Sequence, residues 1–168
     1  MRIFRLGAMG FALCPLLALA PTSAEGRRLT FTDSFMIERC NFSSRGSNPY
    51  FILEPGYQVT FEGTEKRRQI RLTITVLNET EMVGGVETRV VEERETEDGE
   101  LIEVSRNYFA LCAPTNTVFY FGEAVDIYEG GAIVTHEGAW RAGENGARAG
   151  VIMPGLNLVG ARYFQEVA

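Results

Sequence analysis

The chain has 168 residues, a formal charge of −6 and a single histidine. One domain with a single core is the expectation for that length. The acidic balance repels phosphate backbones and no basic run with interleaved aromatics offsets it, so nucleic acid is not an expected partner; one histidine also rules out a histidine-rich zinc site.

Taken in chain order, the first signal is at the N-terminus. Arg2 and Arg5 precede an apolar run from Leu6 to Ala20, followed by Thr22-Ser23-Ala24 and then polar sequence. This layout predicts a signal peptide over residues 1–24, cleaved after Ala24. The apolar run of about fifteen residues is shorter than the roughly 20 a spanning helix needs, so no transmembrane anchor is expected in the mature form. Lipidation at Cys14 is not expected, because Leu13 before it is not small and the apolar run continues beyond it. Residues 25–168 then form a single β domain of 144 residues, with 14 basic residues against 22 acidic ones and a charge of −8.

Export to the periplasm or the extracellular medium leaves Cys40 and Cys112 as the only cysteines of the mature chain, 72 residues apart. An even count in an oxidising compartment predicts a disulfide between them; two separate thiols are the alternative. Next, Asn48 to Gly56 places Tyr50, Phe51, Ile52 and Leu53 between Pro49 and Pro55, a segment expected to pack over one end of a sheet. Lys66-Arg67-Arg68 reads as the solvated start of a strand.

From Ile70 to Val76 apolar residues alternate with Arg71, Thr73 and Thr75, the period of a half-buried strand. Gly84-Gly85 separates it from a strand over Val86 to Thr96, and Asp98-Gly99 separates that from Leu101 to Leu111. Strands over Val118 to Phe121 and Val125 to Tyr128 follow, Gly130-Gly131 turns into Ala132 to His136, and a last strand covers Arg162 to Val167. Between them, Glu137 to Ala161 holds six glycines and Trp140, a covering loop that is either a mobile lid or an ordered cap over the core. The fold class is therefore all-β: an antiparallel meander of about seven to eight strands, curved or barrel-like, because the links are too short for crossovers.

Several pieces in order, Asn48-Pro49-Tyr50-Phe51 with Pro55-Gly56, Tyr120-Phe121-Gly122-Glu123, Gly138-Ala139-Trp140 through Ala142-Gly143, Gly146-Ala147, Gly150, Met153-Pro154 and Tyr163-Phe164-Gln165-Glu166, resemble an uncharacterised family of bacterial exported proteins and lipoproteins. The resemblance covers roughly residues 48 to 166. It implies export and a shared fold, and brings no activity with it. It also implies a further acidic segment after Gln165-Glu166, where this chain ends at Ala168.

The chemistry-bearing residues are few. No Gly-x-Ser-x-Gly elbow, phosphate loop or zinc spacing is present, and no cofactor is expected. Glu123, Asp126 and Glu129 form a candidate calcium site, and His136 with a neighbouring carboxylate or Glu137 a candidate acid/base pair for a hydrolase-like enzyme; a solvated acidic edge is the plainer reading. Trp140, Tyr120, Tyr128 and Met153 are candidate contacts for a small apolar ligand held in a barrel-like sheet, unless these side chains simply fill the core. The first expectation is a non-enzymatic binding or envelope-associated module, its partner a small molecule or an envelope component.

Overall fold

The computed structural model describes residues 30–168, so the expected leader lies outside the described residues. Apart from one 3-10 turn at Ile37–Arg39, every regular element is a strand: β1 (Phe42–Ser43), β2 (Ser47–Asn48), β3 (Phe51–Ile52), β4 (Gln58–Glu65), β5 (Arg68–Val83), β6 (Val86–Glu97), β7 (Glu100–Cys112), β8 (Thr117–Glu129), β9 (Ala132–Thr135), β10 (Trp140–Arg141), β11 (Arg148–Met153) and β12 (Glu166–Val167). The main sheet runs β12-β11-β8-β7-β6-β5-β4 and curls into a half-barrel, every strand pair in it antiparallel. The expected meander is thus the backbone of the fold.

Four two-residue turns drive that meander. Gly84-Gly85, Asp98-Gly99 and Gly130-Gly131 each place two consecutive residues at positive φ, the geometry whose twist matches the flanking strands. The fourth is Lys66-Arg67, with φ of 46° and 76°, which joins β4 to β5. The sequence reading takes these residues for a strand start and so misses β4. Neither side chain favours the left-handed region, and β4 is exposed along nearly its whole length.

β8 corrects a second expectation. One strand of 13 residues replaces the two anticipated, with a bulge at Phe121: Phe109 pairs with Tyr120, whereas Tyr108 pairs with Gly122. The bulge reverses the alternation, so Tyr120 and Glu123 share a face. Gly122, at φ 147°, lies where an added Cβ would meet the Trp140 carbonyl and the Arg141 backbone, so the bulge requires glycine.

Because of this alternation the central strands bury apolar side chains on both faces. On the first face Val90, Tyr108, Ala110, Cys112, Phe119 and Phe121 pack with Val83, Ala142 and Val151. On the second, Val76, Val91, Phe109, Leu111, Val118 and Tyr120 pack with Leu53. The aromatic side chains are therefore divided between two faces, not gathered on one. Segment 48–56 covers the second face as anticipated, with Leu53 fully buried and Phe51 edge-on to Phe109 at 5.0 Å.

Glu137 to Ala161 is an ordered cover. It runs back along the outer edge of β8, where β10 pairs with Glu123 and Gly122 and β11 with Phe119 and Tyr120. The last strand is shorter than expected: only Glu166 and Val167 pair, against Ala149 and Arg148, while Tyr163 bridges in parallel to Thr32.

Cys40 and Cys112 form a disulfide across 72 residues, their Cα atoms 5.0 Å apart. It ties the incoming segment to the end of β7, where β1 also pairs. Arg89, 3% exposed, is a second brace. Its Nε donates to the Ser44 carbonyl at 2.8 Å and its Nη1 to the carbonyls of Glu79 at 2.9 Å and Leu77 at 3.3 Å, where the β5–β6 register shifts.

Candidate functional site

Alternation along β6, β7 and β8 gathers ion-paired side chains on one face and a run of unpaired carboxylates on the other. On the first face Arg94 and Arg106 approach Glu92 at 3.8 and 3.4 Å, Arg106 reaches Asp126 at 3.3 Å, and His136 Nδ1 reaches Asp126 at 2.9 Å. On the second face Glu93, Glu95, Glu103 and Glu123 have no Lys or Arg nitrogen within 4.0 Å among the described residues. Burial, reinforced by Glu123, Glu103 and Glu95, holds the Glu93 carboxyl above its ordinary value, and burial with Glu95 does the same for Glu103. Glu123 is also raised, mainly by burial; the nearby Tyr120 hydroxyl works against the shift, and the charges of Glu103 and Glu166 add to it. Glu166 carries a buried Oε2 with no hydrogen-bond partner among the described residues.

The candidate calcium ligands do not converge. Glu123 and Glu129 lie on the second face six residues apart, roughly 20 Å along the strand, and Asp126 is on the first face paired with Arg106 and His136. Among the described residues no group of three or more His, Cys, Asp or Glu is placed to hold a metal ion.

His136 does meet a carboxylate, but outside a cleft. Its Nδ1 lies 2.8 Å from the Val125 carbonyl as well as 2.9 Å from Asp126, and its side chain is 68% exposed just past the end of β9. Asp126 is shared with Arg106, so the group that orients the imidazole already carries a counter-charge. Among the described residues no serine or cysteine nucleophile stands hydrogen-bonded to the ring.

Of the proposed ring contacts, three gather and one does not. Tyr120 meets Trp140 edge-on at 5.1 Å, and Met153 packs against the same cluster. Tyr128, beyond the bulge, points to the first face. Tyr120 is 5% exposed and donates its hydroxyl to Asn107 Oδ1 at 2.7 Å; burial and the Glu123 charge keep that hydroxyl protonated well above the usual tyrosine range. Tyr120 belongs to the packed core, while Trp140 also lines a cleft of about 570 Å³ with Glu123, Gly138 and Arg141.

The apolar cleft lies on the opposite side of β11, at the disulfide end. It has a volume of about 540 Å³, within the roughly 300–1,000 Å³ of small-molecule sites. Three distant segments build it. Phe35, Met36, Arg39 and Cys40 form one wall, Cys112 to Phe119 the floor, and Val151, Pro154, Leu156, Ala161, Arg162 and Tyr163 the other wall. Phe35 and Phe42 meet Phe119 edge-on at 5.9 and 5.6 Å, which fixes the floor. Backbone hydrogen bonds from Thr32 to the Arg162 carbonyl and from Phe164 to the Thr32 carbonyl, both 2.9 Å, clamp the walls together. Arg39 and Arg162 are the only charged residues lining the cleft, and neither has a carboxylate within 4.0 Å among the described residues.

No protein-family model, curated protein or solved structure matches the chain. The sequence reading missed this cleft because its walls are more than 110 residues apart in the chain, and no local pattern marks them as neighbours. The one available signal was the cysteine pair, which draws residue 40 to residue 112.

Proposed function

We propose that the protein is an exported, non-enzymatic binding module whose ligand is a small amphiphile with an apolar chain and an anionic head. The cleft at the disulfide end carries this reading: a largely apolar floor and walls and, among the described residues, two arginines without carboxylate partners and no acidic lining residue, in a chain of net charge −6. An apolar chain gains from leaving water along Phe35, Phe119, Val151 and Tyr163, and an anionic head from the guanidinium groups of Arg39 and Arg162. Export is supported by the leader-like first 24 residues and by the disulfide, a bond typical of oxidising compartments.

At about −0.3 kcal/mol per non-hydrogen atom, a ligand of about twenty atoms binds with about −6 kcal/mol, a Kd in the tens of micromolar. Untargeted mass spectrometry of protein purified from its native envelope is expected to find fatty acids or related anionic amphiphiles at near one-to-one stoichiometry. Protein that carries none, and that shows no thermal shift with added medium-chain or long-chain fatty acid, would overturn the reading.

A further inference from the structure

Among the described residues, three of the four most exposed large apolar side chains, Val159, Leu156 and Leu158, lie in one stretch beside the cleft, the fourth being Tyr50 elsewhere. Leu156, Leu158 and Val159 are 74%, 64% and 109% exposed in the stretch after Pro154, and Met36, across the cleft from Leu156, is 56% exposed. Phe31 and Phe164, 49% and 42% exposed, meet at 5.4 Å with their rings tilted by 45°, each next in sequence to a cleft residue, Thr32 and Tyr163. Solvated apolar side chains this close together mark an interaction surface. The charge around them differs from the rest of the molecule. Arg39 and Arg162 line the cleft with no acidic residue among its described lining, and Arg148, 3.9 Å from Asp33, lines the neighbouring cleft with Asp33 and Glu38, in a chain of net charge −6.

We propose that this end of the molecule docks on an anionic lipid bilayer, with Leu156, Leu158 and Val159 entering the headgroup–acyl boundary. Leu156 belongs to both the exposed loop and the cleft wall, so docking sets the mouth of the cleft against the lipid and names the membrane as the source of the amphiphile. In this respect the inference rests on the amphiphile-binding reading. Side chains of this kind bury shallowly in the interface, and each arginine near an anionic surface strengthens attachment about fivefold.

The test is co-sedimentation of the purified protein with vesicles of phosphatidylglycerol and phosphatidylcholine, against phosphatidylcholine alone. Wild type is expected to partition onto the anionic vesicles, with at least a tenfold loss in the L158D/V159D variant and about a fivefold loss in Arg162→Gln. Neither Leu158 nor Val159 lines the cleft, so L158D/V159D is expected to bind a monomeric fatty acid as wild type does. As a readout independent of the acidic substitutions, Val159→Trp is expected to show a blue-shifted emission on anionic vesicles that wild type, with Trp140 alone, lacks. No vesicle binding by wild type, equal binding by L158D/V159D, or no blue shift in Val159→Trp would overturn the proposal. Loop-dependent vesicle binding without any fatty-acid binding would leave the docking surface standing and remove the amphiphile-binding function.

Discussion

Removing the Cys40–Cys112 bridge tests how the fold and the cleft depend on each other. The bridge closes a 72-residue loop, which on the chain-entropy relation lowers the free energy of the folded state relative to the unfolded one by about 4 kcal/mol. Cys112 is 1% exposed, so alanine there also leaves a sulfur-sized void worth about 1 kcal/mol. For a domain of this size each kcal/mol lowers Tm by roughly 2–4 °C, so Cys40→Ala with Cys112→Ala is expected to lower Tm by roughly 10–20 °C. The sheet itself survives, because β5 to β8 are held by their own ladders. The cleft is expected to loosen: Phe35, Met36 and Arg39 lie within five residues of Cys40 and lose their covalent anchor, leaving the segment tied by the Thr32–Arg162, Phe164–Thr32 and Ala113–Asn41 backbone hydrogen bonds, the β1–β7 pairing and the ring contacts. Differential scanning calorimetry of the oxidised wild type and the double variant, followed by fatty-acid titration, measures both effects. A Tm within about 4 °C of wild type, or unchanged affinity for the ligand, would refute the reasoning.

Other substitutions probe separate parts of the structure. Gly122→Ala is expected to cost about 3 kcal/mol, seen as a lower denaturation midpoint with unchanged m-value, since φ 147° and the nearby Trp140 carbonyl both oppose a Cβ; a neutral effect would remove the bulge argument. Arg89→Met strips three carbonyls, that of Ser44 buried, of their donor and is expected to destabilise by about 2 kcal/mol, with faster amide exchange around Leu77 to Glu79. The carboxyls of Glu93, Glu103 and Glu123 are raised above 4.5 in the folded chain, which therefore holds more protons than the unfolded chain above that pH. Stability is expected to fall as pH rises from about 4.5 through the folded values, and Glu93→Gln to shrink the difference between pH 5 and pH 8 in urea denaturation; an unchanged difference would show that this carboxyl does not set the slope. His136→Gln is expected to change stability by less than about 1 kcal/mol, because the exposed side chain bridges groups already paired elsewhere.

The parts of this fold that were legible in the sequence are those encoded locally. Gly84-Gly85, Asp98-Gly99 and Gly130-Gly131 mark hairpins because their backbones enter the left-handed region cheaply, and Ile70 to Val76 alternates because one side of β5 is buried. Lys66-Arg67 makes the same turn without the same residues, held by a ladder of eight β4–β5 pairs, so tertiary pairing overrides local preference. Gly122 was visible as a break, yet a glycine in a strand fits either a turn or a bulge; only the register with β7 separates them. The same ambiguity decided the candidate sites. One extra residue at Phe121 aligns Tyr120 with Glu123, while the plain alternation beyond it puts Asp126 opposite Glu123 and Glu129 and sends Tyr128 away from Trp140. The cleft depends on contacts between residues 32–40 and 151–163, a separation that no periodic pattern spans.

The central claim is that the cleft beside the disulfide holds an anionic amphiphile. Isothermal titration of delipidated protein with a long-chain fatty acid below its aggregation concentration tests it most directly, in wild type, in R39Q/R162Q and in Ala161→Trp, which fills the cleft from its wall. One-to-one binding in the tens of micromolar is expected for wild type, weaker binding for R39Q/R162Q and none for Ala161→Trp. No heat with wild type, or equal binding by Ala161→Trp, would contradict it.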